Sequence, residues 1–247
     1  VSVSDCASLA GNATKITARG FGWTHAGRSE AALSDIDVVI EPGERVLLCG
    51  DSGSGKSTLL AAMAGVLGSD EEGTRTGELL LEDSSGLVEE PGHTIPVGLV
   101  LQDPDSQVIS ARVGDDIAFG CENLAYPREE IWRRVTAAKE LVGPFVDLDF
   151  PTERLSGGQK QRLALAGVIA MGAGVVLLDE PTANLDPAGA RDVVRAVSRL
   201  VEETGATLVV VEHQHAAWDG VLDRAVELDH GRIVADTSFA KVDQRRQ

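Results

Sequence analysis

Gly50-Asp51-Ser52-Gly53-Ser54-Gly55-Lys56-Ser57 decides how this chain is read. Before it stands a continuous apolar run, Arg45-Val-Leu-Leu-Cys49, and after it a small, apolar stretch from Lys56 to Gly65. An apolar run without alternation suits a strand covered on both faces. The following stretch suits a buried helix. Glycines between strand and helix let backbone N–H groups converge on phosphate, aided by the positive end of the helix. In the pattern GxxxxGK[ST], Lys56 reaches the β- and γ-phosphates of a nucleotide and the Ser57 hydroxyl ligates Mg²⁺. Residues Gly50 to Thr58 are therefore the expected phosphate cradle. A flexible Gly/Ser loop would share its composition, but not the strand before it and the helix after.

A second apolar run, Val175-Val-Leu-Leu, ends in Asp179-Glu180. A buried strand delivers its terminal acids to the carboxyl edge of the sheet, where nucleotides bind in open α/β folds. Asp179 is expected to hold Mg²⁺ and Glu180 to orient or deprotonate an attacking water. Between the two runs lies Leu155-Ser156-Gly157-Gly158-Gln159, which opens a helix through Lys160 and Gln161. Ser156 is a good cap, and the bare amides after it form a second anion site.

The remaining pattern places these segments. Lys15 to Gly20 and Ser34 to Ile40 read as strands joined to the first run by Gly- and Pro-rich turns. Residues 68–77 read as a surface loop, Leu79 to Leu81 and Val97 to Leu101 as strands, and acidic 82–96 as an exposed hairpin or loop. Glu129 to Val142 has helical spacing. After Ser156, helix and strand alternate: strand Val175 to Leu178, helix Pro187 to Glu203, strand Leu208 to Val211. The expected fold is α/β, a P-loop NTPase (RecA-like) with a mainly parallel sheet, an N-terminal antiparallel β part and an inserted α-helical subdomain. The expected division is a single domain over 1–247, with its core in 1–102 and 166–247 and the helical subdomain in 103–165.

The formal net charge of −17 argues against nucleic acid and anionic lipid as main partners. It suits either solubility or an acidic face for a basic partner. Cys6, Cys49 and Cys121 are scattered and suit reduced thiols. The longest uncharged run, Leu163 to Leu178, falls short of the ~20 residues that span a bilayer. Gly172 and Gly174 break it into helix, turn and strand. No signal peptide is visible. The chain lacks an initiator Met and ends abruptly, which leaves open a longer parent protein.

With all three motifs in order, Lys15 to Val234 resembles the nucleotide-binding subunit of an ABC transporter. The resemblance implies ATP and Mg²⁺. It implies that Trp23 stacks on adenine, where tyrosine is more usual, the alternative being a surface aromatic near a turn. Gln102 resembles the Q-loop glutamine, which touches Mg²⁺ and the membrane partner. Asn184-Leu185-Asp186 resembles the D-loop at the dimer interface, and His213 the switch histidine at the γ-phosphate. Ser156, Gly157, Gly158 and Gln159 would serve the opposite subunit's ATP. His213 and His215 could pair on zinc, but no third ligand stands nearby in sequence. His215 reads better as a surface or capping histidine.

One segment narrows the family. Gln102-Asp-Pro-Asp-Ser-Gln107, Asp115-Asp116-Ile-Ala-Phe119-Gly120 and Glu122-Asn123 are similar to ATPases of energy-coupling factor transporters and their cobalt and nickel relatives. That similarity implies vitamin or metal-ion uptake and a second ABC ATPase subunit, identical or paralogous. It implies an integral membrane coupling protein and a separate substrate-binding membrane protein, with the chain held at the cytoplasmic face of the membrane. Asp103, Asp105, Asp115 and Asp116 are candidate acceptors for arginines of the coupling protein. The alternatives are a conventional ABC importer or exporter subunit and a soluble, non-transport ABC ATPase.

Overall fold

The computed structural model describes residues 13–68, 72–143 and 146–241. Among them are ten strands and five α-helices. The helices are α1 (Lys56–Met63), α2 (Val113–Asn123), α3 (Arg128–Leu141), α4 (Gly157–Met171) and α5 (Pro187–Thr204).

The central sheet has six strands in the order β10-β9-β3-β8-β7-β6. These are β3 (Arg45–Cys49), β6 (Val97–Val100), β7 (Val175–Asp179), β8 (Thr207–Val211), β9 (Arg224–Asp229) and β10 (Arg232–Ser238). All pair in parallel except the edge strand β10, which forms a hairpin with β9. Four antiparallel strands make a second sheet in the order β2-β1-β4-β5. They are β1 (Lys15–His25), β2 (Leu33–Ile40), β4 (Gly73–Glu82) and β5 (Val88–Glu89).

Strand period assigns each apolar residue to one of two cores. Leu47, Val176, Leu178, Leu208 and Val210 pack with α2, α3, α4 and α5 on one face. Val46, Leu48, Val175, Leu177, Val209 and Val211 pack with α1 and the antiparallel sheet on the other. That double coverage is why β3, β7 and β8 read as unbroken apolar runs. The order β3-β8-β7-β6 brings four strand ends to one carboxyl edge: the glycine loop after β3, His213 after β8, Asp179 and Glu180 after β7, and Gln102 after β6.

The α/β architecture matches the expectation, including the antiparallel part and the helical insertion. Helix α4 runs unbroken across position 165. Four local readings need correction. Gly73 to Thr76, read as loop, pairs with β1 through Gly22 to His25; the backbone ladder, not apolar burial, holds these polar residues. Helix α2 was not expected, because its two glycines and two aspartates are weak helix formers. Packing supplies what propensity lacks: Val113 N–H donates to Phe150 O (3.1 Å) and Gly114 N–H to Leu148 O (2.8 Å). Strands β9 and β10 were also missed; His230 and Gly231, both at positive φ, make the tight turn between them. The expected acidic hairpin at 82–96 is present, with Asp83 Oδ1 accepting the N–H groups of Ser85 and Leu87.

Cys49 is buried and its Sγ donates to Val226 O. Burial pushes the Cys121 thiol up to about 11, so it stays protonated and inert. Cys6 lies outside the described residues. No helix among the described residues is long and apolar enough to cross a membrane.

Candidate nucleotide site

The loop Gly50 to Gly55 holds a conformation that side chains would block. Gly50 sits at φ 137°, and a Cβ there would lie 2.1 Å from Leu228 O. Gly55 precedes α1 at φ 103° with Ala32 O 2.7 Å from its would-be Cβ. Helix α1 has no side-chain cap and no acid in its first turn, so its terminal amides stay open to an anion. Lys56 Nζ, largely buried, donates to Gly50 O (2.9 Å) and Asp51 O (2.8 Å). The ammonium is thus folded back over the loop, where phosphate oxygens can replace the carbonyls. Asp51, Ser52 and Gly53 lie exposed on the rim, and the buried Ser54 Oγ has no partner.

Ser57 and Asp179 meet from different elements, the Ser57 hydroxyl bonding the Asp179 carboxylate. Burial pushes the Asp179 carboxyl upward in pKa, opposed by Ser57 and, more weakly, by Lys56 and His213. A half-buried carboxylate beside a hydroxyl, both oxygen donors at a phosphate loop, suits a hard divalent cation. Ser57, Asp179 and Gln102 would hold Mg²⁺, whose positive charge offsets phosphate charge when it is bound.

Three candidate catalytic side chains converge. Gln102 Nε2 donates to Glu180 Oε2 at 3.1 Å, and His213 Nε2 lies 3.1 Å from Glu180 Oε1. Glu180 occupies the left-handed region at φ 47°, held by its N–H to Val211 O (2.9 Å). Strained non-glycine backbone of this kind gathers at working sites.

The second glycine motif is built as expected at its helix end. Ser156 Oγ accepts from Gln159 N–H, while Gln159 Oε1 accepts from Ser156 N–H (2.8 Å), a capping box. Leu185 packs over Gly157 and Gly158. Asp186 caps α5, its Oδ1 accepting from Gly189 N–H at 2.7 Å.

Trp23 is corrected. It is 4% exposed, inside the core on β1. Gly73 lies against its ring, and its N–H donates to His25 Nδ1 (3.1 Å). A covered indole offers no face to adenine, nor is it a surface aromatic. His215 Nε2 bonds Glu212 O (2.9 Å) at the start of a short 3₁₀ turn. The described residues hold no group of three or more His, Cys, Asp or Glu placed to bind a metal together.

Of the four acids named after Gln102, Asp105 pairs with Lys160, and Asp116 Oδ2 accepts from Ile109 and Ser110 N–H, both 2.8 Å. Asp103 accepts from Asp105 N–H. Asp116, which burial pushes upward in pKa, lines a cleft of about 360 Å³ with Leu99, Ile109, Phe119, Leu124 and Met171. Sequence reading missed Gln161, fully buried on α4, whose Nε2 donates to Leu101 O (3.1 Å) and so ties the second glycine motif to the Gln102 segment. Its only signal was a polar residue on the buried side of a helix.

Known proteins resemble this chain in sequence and fold. A family model described as "ABC transporter" matches residues 33–183. The energy-coupling factor transporter ATP-binding protein EcfA1 of Caldanaerobacter subterraneus is 40% identical over 210 residues, covering 85% of this chain and 74% of that protein. A putative ABC transporter ATP-binding protein of Methanosarcina mazei is 38% identical over 232 residues, covering 92% of this chain. The chain spans 39% of that relative's length. The structure of CbiO1 from Clostridium perfringens, described as part of the ABC transporter complex CbiONQ, superposes with a TM-score of 0.79 at 29% identity, covering 94% of this chain and 91% of that one. A phosphate loop, an acidic strand end and a serine-capped helix that opens on two glycines, in a fold shared with these proteins, have one reading: the chain belongs to the ABC transporter family and carries that family's ATPase domain.

Proposed function

We propose that this cassette hydrolyses ATP to power uptake by an energy-coupling factor-type transporter, working as one of a pair that sandwiches two ATP molecules. The observation that carries the reading is the meeting of Gln102, Glu180 and His213 beside Lys56 and Asp179. Lys56 and the open amides of α1 bind and orient the phosphates. Glu180, held between Gln102 and His213, orients and accepts a proton from the attacking water. Most of the catalysis is positioning and charge stabilisation. Ser156 and Gly158 of one cassette face the ATP held by Lys56 and Ser57 of the other, so ATP favours the closed pair and hydrolysis releases it.

Similarity to EcfA1 and CbiO1 supports the uptake class. The apolar cleft rimmed by Asp116 suits a membrane coupling protein presenting a basic motif. The chain would sit at the cytoplasmic face through that partner, and the cargo would not touch it. Nucleotide titration and phosphate release test the chemistry. Glu180→Gln keeps ATP binding and slows hydrolysis by roughly 10²–10⁴-fold, the range for a lost general base; Lys56→Ala loses binding. Near-normal turnover in Glu180→Gln would remove Glu180 from its role.

A further inference from the structure

Glu212 belongs to none of the motifs, yet it is a carboxylate only 4% exposed, just past the end of β8. A buried carboxylate persists where hydrogen bonds hold it. Here Oε1 accepts the N–H groups of His213 (2.8 Å) and Gln214 (3.3 Å). Oε2 accepts the hydroxyl of Thr182, itself 5% exposed. Thr182 follows Glu180 by two residues. Its carbonyl accepts Leu185 N–H (3.3 Å) in the turn that leads to Asp186.

One carboxylate therefore bonds the backbone that carries His213 and the segment that carries Glu180. The His213 side chain is half exposed, and its contact with Glu180 (3.1 Å) lies at the open edge of the site. Solvent-exposed side chains keep such a contact only if their backbones are fixed, because rotamer entropy opposes it. We propose that Glu212 is a positioning residue for hydrolysis: it locks the His213 segment to the Glu180–Thr182 segment, so that the His213–Glu180 contact forms. This rests on the hydrolytic reading above.

The test is a set of single-turnover ATPase rates, ATP affinities and melting temperatures for wild type, Glu212→Ala, Glu212→Gln, Thr182→Val, His213→Ala, and Glu212→Ala and Thr182→Val each combined with His213→Ala. If Glu212 acts through His213, Glu212→Ala slows hydrolysis by about tenfold or more in the wild-type background but by less than about threefold with His213→Ala, since residues acting as one unit are non-additive. ATP affinity stays within about threefold, because the phosphate loop is untouched. Glu212→Gln keeps an oxygen for the two amides and a donor for Thr182 Oγ1, and retains most activity. Thr182→Val, which removes only the hydroxyl, slows turnover in the same His213-dependent way and serves if Glu212→Ala fails to fold. A full loss that persists beside His213→Ala, or unchanged turnover in both Glu212→Ala and Thr182→Val, would overturn the proposal. Wild-type turnover in the same series keeps the two ideas apart: a wild type that does not hydrolyse ATP defeats the hydrolytic reading itself.

Discussion

Asp179 stands at the end of β7 with its carboxyl pushed upward in pKa, mainly by burial. A folded-state pKa above the unfolded value means that the folded chain holds the proton more tightly. That contribution favours folding below the unfolded pKa and is lost as pH rises through the folded pKa. At neutral pH the ionised Asp179 therefore costs the nucleotide-free fold some stability, a cost the bound cation would relieve. Asp179→Asn is expected to melt higher than wild type at neutral pH, with the gap closing as pH falls into the carboxylate range, while Mg²⁺-dependent hydrolysis is lost. Thermal melts across pH check this; equal or lower melting at neutral pH would contradict it. At this scale the sequence was informative where chemistry needs a fixed spacing. Lys56, Ser57, Asp179 and Glu180 were legible from their own pattern and His213 from the family resemblance, and all come to one edge. Glu212 and Gln161 were not, since a buried polar residue looks like any other until its partners are known. Trp23 misled because its position in sequence says nothing about which way a strand turns its ring.

The elements divide the same way. Strands β3, β7 and β8 were legible because both faces are buried and their apolar runs have no interruption. Helix α5 was legible from the alternation of helix and strand after Ser156. Helix α2 and the first half of β4 were not, because contacts distant in sequence, from Leu148 and Phe150 in one case and β1 in the other, hold weakly predisposed residues. Helix ends carry a separate stability test. Asp186 caps α5, whose apolar face includes Val193, Val197 and Leu200. Asp186→Ala should lower unfolding free energy by about 1 kcal/mol, the usual loss for an N-cap, and Asp186→Asn by much less. Urea denaturation measures both. Equal losses in the two variants would show that the cap hydrogen bond to Gly189 is not what Asp186 contributes.

Across the whole molecule, two facts bear on partnership. The chain carries a formal net charge of −17, which favours basic partners and disfavours polyanions. Its apolar cleft lies between the central sheet and the helical insertion, lined by β6, α2 and α4, and is joined to the nucleotide site by the Gln102 segment. A partner seated there would sense Gln102 and the second glycine motif together through Gln161 and Lys160. The most direct test is to express tagged Glu180→Gln in the source cell, solubilise membranes with ATP present, and identify what copurifies. The account predicts a second cassette, identical or paralogous, with a small integral coupling protein and a separate substrate-binding membrane protein. A single large permease would contradict the energy-coupling factor assignment, and a wholly soluble complex would contradict transport altogether.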